Sequence, residues 1–393
     1  MTDPEPRTSR TDILGWGAFL ASSWTWCIGM FLPVLLIRDF GVTSFLVFAI
    51  PNVLGAALMG AVLQRPGLSE SIVRAHGKAC WAFSFVTVAF QVFFLCWLIL
   101  GLEPSVNRWA LAPMLLVVLF TGRGHLASSW TRLVAILVLI TSLTAGAWWA
   151  SHTSPVSHIG PPRLPPRDLL WLGPVCTLGF GLCPYLDLTF HTARQKAPGP
   201  AGTAAFAVGF GVLFASMIML TLLYSGKLLE ASQTSVRNVQ PGLAATPIIL
   251  HMTVQLVFTV MLHKDWIEAD PSPAGPKAPA NASLLALVLG VVAAIVSYRT
   301  GPIANLAGPE VAYRVFMAFY GLVFPAYVWT CVVPSRGRPP SRPRLIAFVA
   351  AILIAAPMYW FGFVQGPTWW LGPGVLVVLL AGLIPREPAA TTD

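Results

Sequence analysis

Long apolar runs follow one another along almost the whole of this chain, and they leave it few structures to adopt. A helix that crosses a bilayer needs about 20 mostly apolar residues. Twelve such segments can be marked, at 13–37, 43–63, 80–100, 109–121, 133–150, 169–190, 204–224, 247–262, 284–297, 311–333, 345–361 and 369–384, the fourth and ninth being short. Only 10% of the 393 residues are charged and 56% are hydrophobic, against roughly 25% charged in soluble domains. The expected fold class is an all-α integral membrane protein, one polytopic domain over residues 1–393 with about 12 transmembrane helices. Lipid is then its first partner.

The net charge of +9 points to cytoplasmic loops rather than to nucleic acid, because Lys and Arg gather on the inner side of membrane proteins. No basic, aromatic-interleaved soluble stretch is available to hold a nucleic acid. With the N-terminus inside, about 16 of the 24 Lys and Arg fall in inner segments and about 8 in outer ones. Arg38 and Arg314 count among the outer ones and Lys264 among the inner. This bias places both termini in the cytoplasm and the protein in the cytoplasmic (inner) membrane, and SRGRPPSRPR after the tenth span is its strongest part. The opening MTDPEPRTSRTD shows no cleavage-site pattern, and the first apolar run is too long for a signal sequence, so it is expected to remain as a span. The six cysteines, Cys27, Cys80, Cys96, Cys176, Cys183 and Cys331, lie in or beside apolar segments without CxxC or zinc-type spacing. They read as small buried hydrophobes. The longest loops, near 151–168 outside and 263–282 inside, are Pro- and Gly-rich and could not bury a core. Trp148, Trp149, Trp369 and Trp370 fit an interfacial aromatic belt.

The sixth segment carries the densest chemistry. GFGLCPYLDLTFH (Gly179–His191) puts two glycines, a proline and Asp187 where a plain spanning helix would carry leucines. Ionisable groups at membrane depth are costly and mark ion or substrate paths. Broken helices at that depth are tolerated where the freed backbone is buried in protein or lines a cavity. The first segment has a similar pattern, CIGMFLPVLLIRDFG, with Gly29 ahead of Pro33. Aligning Pro33 with Pro184 sets Leu36 opposite Asp187. Five spans separate the two starts, so the copies run in opposite senses across the membrane. The expected organisation is a first inverted repeat at 11–150, a second at 168–333 and two additional helices at 343–385, with helices 1 and 6 interrupted. Interrupted helices at matching positions of inverted repeats point to a transporter binding site.

The stretch GMFLPVLLIRDFGVTSFLVFAIPNVLGAALMGAVLQRP (Gly29–Pro66) resembles the first core helix pair of the sodium/solute symporter family. Gly29, Pro33, Gly41, Gly55 and Gly60 match that pattern, and the aromatic position departs from it within Ile37-Arg38-Asp39-Phe40. The resemblance covers about 40 residues and implies the five-plus-five inverted-repeat fold of leucine-transporter-type and amino-acid/polyamine/organocation permeases. The extra N-terminal span of the symporters is missing here. CPYLDLTFHTA also resembles the Met-Pro-His-Asn break of Nramp-type metal transporters, but their first-helix Asp-Pro-Gly-Asn has no counterpart, so metal transport is the weaker expectation. The symporter likeness further implies a sodium site in which span eight sets hydroxyls against first-helix carbonyls. Thr259 and Thr253 are the hydroxyls available, and they are not adjacent.

Half-helices meeting at a break expose N–H groups at one end and carbonyls at the other. On this basis Cys27, Ile28 and Gly29 are expected to offer carbonyls, and Gly179, Phe180 and Gly181 to face the substrate, with Pro33 and Pro184 keeping the breaks open. Asp187, about 10 Å from the inner interface at 1.5 Å per residue, has three readings: a coupling-ion ligand, a proton carrier, or a structural partner of His191 or Arg194. Tyr185 beside it either gates or packs. Ser84, Thr87 and Gln91 form a polar stripe on span three, and His251, Gln255 and Thr259 form one on span eight. Such stripes face the protein interior, as hydrogen-bonding glue or as a path lining. Asn52, after Pro51, is a further interior polar group. No catalytic or phosphate-loop motif appears.

The expected function is secondary transport of a small solute by alternating access, as a symporter coupled to sodium or protons, without other cofactors and not an enzyme. The alternative is a polytopic membrane enzyme, its metal held by Asp187 and His191 with His251 at comparable depth, or a transport-inactive sensor or scaffold. Neither the solute nor the oligomeric state can be read.

Overall fold

In the computed structural model the described residues are 10–101, 129–151, 161–233, 246–269, 281–335 and 337–384. The expected fourth span, 109–121, lies outside them, as do parts of the two Pro-rich loops. Among the described residues every named element is helical, and the one strand-like pairing is an isolated bridge between Ile303 and Leu306. Eight helices among the described residues are long and apolar enough to cross a membrane, and a ninth span is formed if the bent pair at the N-terminus is taken as one. The chain is a multi-pass helical membrane protein.

The first expected span is two helices, α1 (Arg10–Trp24) and α2 (Cys27–Phe40), bent by 56°. The break falls at Thr25-Trp26, ahead of Gly29 and Pro33. Hydroxyl side chains compete with the helical ladder there. The Thr25 hydroxyl donates to the Ala21 carbonyl at 2.8 Å and the Ser23 hydroxyl to the Leu20 carbonyl at 3.1 Å. The Ser22 hydroxyl leaves α1 altogether and bonds the Ala135 carbonyl at 3.1 Å. Pro33 sits inside α2. Carbonyls on the turn before it are met from other helices, Cys27 by the Tyr313 hydroxyl at 3.1 Å and Met30 by the Tyr224 hydroxyl at 2.8 Å.

Helix α3 (Ser44–Val62) and the 34-residue α4 (Leu68–Gly101) follow, then α5 (Ser129–Ala150). The spanning part of α4 is 72% buried, the highest share among the eight unbroken spans, so α4 lies inside the bundle. The second break separates α6 (Leu169–Leu182) from α7 (Leu188–Lys196) by a tight turn, Cys183–Leu186, and an extended Asp187. Next come α8 (Gly199–Val208), which runs through a π turn into α9 (Ala215–Gln233), then α10 (Thr246–Ala269) and α11 (Ala282–Arg299). Helix α12 (Gly308–Ala318) continues through two π turns flanking α13 (Phe324–Tyr327). Helices α14 (Arg342–Trp360) and α15 (Leu371–Ala381) pack on each other, and α15 packs on α6.

Helix α10 corrects an expected boundary. It runs past 262 to Ala269, so His263 and Lys264, taken from the sequence as loop residues, are helical and buried. Arg38 and Arg314, counted as outer loop charges, belong to α2 and α12.

The helices pack in an interlocked pattern. Helix α1 lies against α5 and α8, α6 against α3 and the segment Phe319–Tyr327, and α10 against both α4 and α5. Glycines permit the closest crossings. A Cβ at Gly55 of α3 would stand 2.4 Å from the Phe180 carbonyl of α6, and one at Gly209 would stand 2.8 Å from the Gly17 carbonyl of α1. Small residues let membrane helices approach by van der Waals contact, the main attraction left to them in lipid. Leu46, Ile50, Leu54 and Leu58 repeat every four residues along α3 and are all more than half exposed. This is the signature of a face turned to hydrocarbon.

Candidate functional site

The two breaks meet. The Thr189 hydroxyl of α7 donates to the Ser23 hydroxyl of α1 at 3.2 Å, and the Trp24 and Phe190 rings are 4.9 Å apart. Between them lies a void of about 10 Å³ lined by residues of both breaks, including Trp24, Trp26, Gly29, Asn52, Gly179 and Cys183. That is room for about one water. Asn52 is held there, its Oδ1 accepting from Trp24 Nε1 at 2.7 Å. We expect Asn52→Leu to strand the buried indole N–H and cost about 1–3 kcal/mol, read as a lower unfolding temperature in detergent. An unchanged melt would show that the contact carries no weight.

Above the void opens a cavity of about 300 Å³, bounded by α2, α6, α12 and the chain before α15. Gly179, Phe180 and Tyr320 line both spaces and form the floor of the larger one. Its walls are mainly apolar, and its polar groups collect towards the far ends of α2 and α12, at Asp39, Arg314 and Asn305. Ala304 and Asn305 there have φ of +51° and +64°, the left-handed region that costs a non-glycine residue roughly 1 kcal/mol or more. Such strain gathers at binding sites. Beside them lies a buried ionic network. Arg38 of α2 clamps Glu310 of α12 through two bonds, of 2.8 and 2.6 Å, while its Nε reaches Asp39 at 2.8 Å. Arg314 joins the same two acids, at 2.6 Å to Asp39 and 2.7 Å to Glu310.

The polarity of the breaks is the reverse of what the sequence suggested. Because the first break comes before Cys27, that residue begins α2 and presents an N–H, which donates to Gln91 Oε1 of α4 at 3.4 Å. Because the second break comes after Leu182, Gly179, Phe180 and Gly181 lie within α6, and the N–H end belongs to α7. There Asp187 caps the helix, its Oδ1 accepting from the Thr189 amide at 2.8 Å and the Thr189 hydroxyl at 2.7 Å. The residues at the N-cap positions of α2 and α7 are Trp26 and Asp187. Where Asp187 caps α7 from its own chain segment, Gln91 caps α2 from across the bundle. The last carbonyls of α1 are occupied as well. Ala21 takes both the amide and hydroxyl of Thr25, Ser23 takes the Trp26 indole, and Trp24 takes the Trp26 amide.

Asp187 is paired with neither His191 nor Arg194. His191 bonds Ser69 Oγ at 2.9 Å and the Tyr185 carbonyl at 3.0 Å. Arg194 holds the Leu63 carbonyl at 3.1 Å and the Gly199 carbonyl at 3.0 Å, tying α3 to α8. The metal pair Asp187 with His191 is thus not formed, and His251 is 12 residues, about 18 Å, along α10 from the histidine that does face Asp187. That residue is His263, with Nε2 4.0 Å from Asp187 Oδ1 and Nδ1 3.0 Å from Ser84 Oγ of α4. Among the described residues no cluster of three His, Cys, Asp or Glu is placed to hold a metal ion.

Of the remaining expected residues, Gln255 donates to Ser142 Oγ at 2.9 Å, and the Thr259 hydroxyl is buried without a partner. Tyr185 contributes its carbonyl to His191 and lines neither cavity, nor does Gly181. Thr87 of the α4 stripe bonds the Tyr320 hydroxyl at 2.9 Å. Sequence reading missed Trp26, Tyr320 and His263. The Trp26 ring lies 4.6 Å from Trp24, 5.5 Å from Tyr320 and 5.6 Å from His263, so it lines the void and touches the Asp187–His263 pair as well. The signal for His263 was available, since it continues the four-residue spacing of His251, Gln255 and Thr259. No family model matches the chain, and no curated protein matches its sequence.

Proposed function

We propose that this protein is a secondary active transporter of a small solute, built as two inverted five-helix repeats plus a C-terminal helix pair. One observation carries the reading: two interrupted helices meet in the core, at the floor of a cavity that opens toward one end of the bundle. The packing supports the repeat. Equating each expected span with the fifth one after it turns the α1–α8 contact into α6–α3, and α1–α5 into α6 with Phe319–Tyr327. The same operation turns α5–α10 into α12–α4 and returns α4–α10 and α3–α8 to themselves. Two close glycine crossings, Gly209 on Gly17 and Gly55 on Phe180, fall on one such exchanged pair.

In this reading the solute enters the 300 Å³ cavity, a volume at the small end of ligand sites. It reaches the half-helices once Phe180, Trp26 and Tyr320 swing aside, and the α2–α12 ionic network governs the mouth. The apolar walls favour a solute with a modest apolar body. With the network internally neutralised, the remaining loop charges favour cytoplasmic termini in a cytoplasmic membrane.

The test is a thermal-stabilisation screen of purified protein against amino acids, sugars, nucleobases and osmolytes, followed by uptake of any hit into proteoliposomes with an imposed ion gradient. Met317→Trp, which fills the cavity from its α12 wall, is expected to abolish uptake while leaving the unfolding temperature within a few degrees. Uptake that persists in Met317→Trp would place the solute elsewhere. If no solute class is stabilising or taken up, the transport reading fails.

A further inference from the structure

His251, Gln255, Thr259 and His263 recur every four residues of α10 and are between 0% and 1% exposed. Four residues advance a helix by about 6 Å and overshoot a full turn by about 40°, so these side chains form a buried column that winds slowly about α10. Each keeps a polar atom without a hydrogen-bond partner: both ring nitrogens of His251, Oε1 of Gln255, Oγ1 of Thr259 and Nε2 of His263. The column ends at Asp187, whose Oδ2 is likewise buried and unpartnered while Oδ1 is spent on capping α7. Buried polar groups are almost always bonded, and each exception calls for an explanation. Five in one line, none of them lining the solute cavity, call for a shared one.

We propose that this column is a proton path, separate from the solute route, which delivers the coupling proton between His251 and the carboxylate of Asp187. The proposal rests on the transport reading for its purpose but not for its test. A proton adds to Oδ2 of the Asp187 carboxylate to give the neutral acid and later leaves the same oxygen; no other bond changes. Steps of about 6 Å exceed one hydrogen bond, so single waters complete the chain between rungs. Histidine and carboxyl groups in a spanning segment are the usual members of such relays. Trp26 joins the two routes, since its ring touches His263 and lines the void at the cavity floor. Charging or neutralising Asp187 thus acts at the residue that closes the solute route.

Other ionisable groups face the column. Cys80 of α4, Cys183 of the second break and Tyr320 lie within electrostatic reach of Asp187. Tyr224 of α9 stacks near His251, with ring centres 6.3 Å apart. From α1 the Ser23 hydroxyl meets Thr189, which bonds the Asp187 carboxylate, and Lys264 and Asp265, next on α10, are engaged in interactions of their own.

The experiment is pH-difference infrared spectroscopy on the full-length protein in liposomes, without any solute. A protonated-carboxyl band is expected to titrate between about pH 4 and pH 9 and to be missing in Asp187→Asn. His263→Gln is expected to move its midpoint by about one pH unit. Thr259→Val keeps the shape of the rung and leaves the Asp187 cap intact, so it is the decisive variant should Asp187→Asn misfold. It is expected to leave the midpoint in place and slow protonation after a pH jump by at least about tenfold, or about 1.4 kcal/mol on the barrier. A band that answers to added sodium chloride but not to pH, or no titrating band at all, overturns the proposal. An unchanged rate in Thr259→Val overturns the route.

Discussion

Glu310→Ala is expected to lower the stability of the protein by about 3–5 kcal/mol, the cost of breaking a buried ion pair by removing one partner. The Glu310 side chain is 10% exposed and accepts from both Arg38 and Arg314. Its loss leaves Asp39 as the one carboxylate between the Arg38 and Arg314 guanidinium groups, and of the side-chain links between α2 and α12 it removes Arg38–Glu310 and leaves Arg314–Asp39. Glu310→Gln keeps the shape and one acceptor oxygen and should fall between the variant and wild type. The unfolding temperature in detergent, followed by tryptophan fluorescence, measures both. A second readout concerns access. Cys176 lines the cavity whose mouth the network borders, so a small thiol reagent should label it faster in Glu310→Ala. If both variants melt like wild type, the network behaves as a surface ion pair worth less than about 1 kcal/mol and cannot hold the mouth closed.

Gly55→Val is expected to be comparably damaging, at about 3 kcal/mol or slightly more for overpacking a close crossing. The first side-chain atom already meets the Phe180 carbonyl at 2.4 Å and the Gly181 Cα at 2.8 Å. These are backbone atoms that no rotamer change can move, so α3 and α6 must part, and the second break moves with α6. Gly209→Val should act alike at the α1–α8 crossing, where the obstacle is again backbone, at Gly17. Gly181→Ala is the control. Nothing stands within 4 Å of its Cβ position, so its effect should stay within about 0.5 kcal/mol. A series in which all three variants melt together would contradict both the close crossings and their equivalence.

Much of the architecture was legible because lipid imposes a simple rule on sequence. An apolar run of sufficient length becomes a helix, and each marked run within the described residues overlaps helix, although α4 begins well before its run and α10 ends well after its own. The existence of both breaks was legible too, from Gly, Pro and Asp187 in otherwise apolar segments. Their positions were not. Proline drew attention to Pro33, yet Pro33 lies inside α2, with carbonyls on the turn before it met by Tyr224 and Tyr313. The first break belongs to Ser23 and Thr25, whose hydroxyls take up carbonyls of α1, and to Ser22, whose hydroxyl bonds the Ala135 carbonyl of α5. Misplacing each break by about one turn exchanged the N–H and carbonyl ends, and with them the expected roles of Cys27 and Gly179. Likewise Arg38 and Lys264 were read as loop charges because a charge ends an apolar run, and Arg314, near the start of its run, was counted with the outer charges. Arg38 is buried and Arg314 part-buried instead, each paired with an acid near it in the chain and with one on the other's helix.

The sequence by itself determined that this is a multi-pass helical membrane protein with two interrupted helices and an acid in one of them. It could do so because hydropathy and helix breaking are local properties, set within a few residues. Only the tertiary structure decided that the breaks touch, that Asp187 caps α7 and faces His263 rather than His191, and that α10 carries one buried polar column ending there. Those facts depend on which helices pack together and on their rotation about their axes. Both are fixed by close crossings such as Gly55 on Phe180, between residues more than a hundred positions apart.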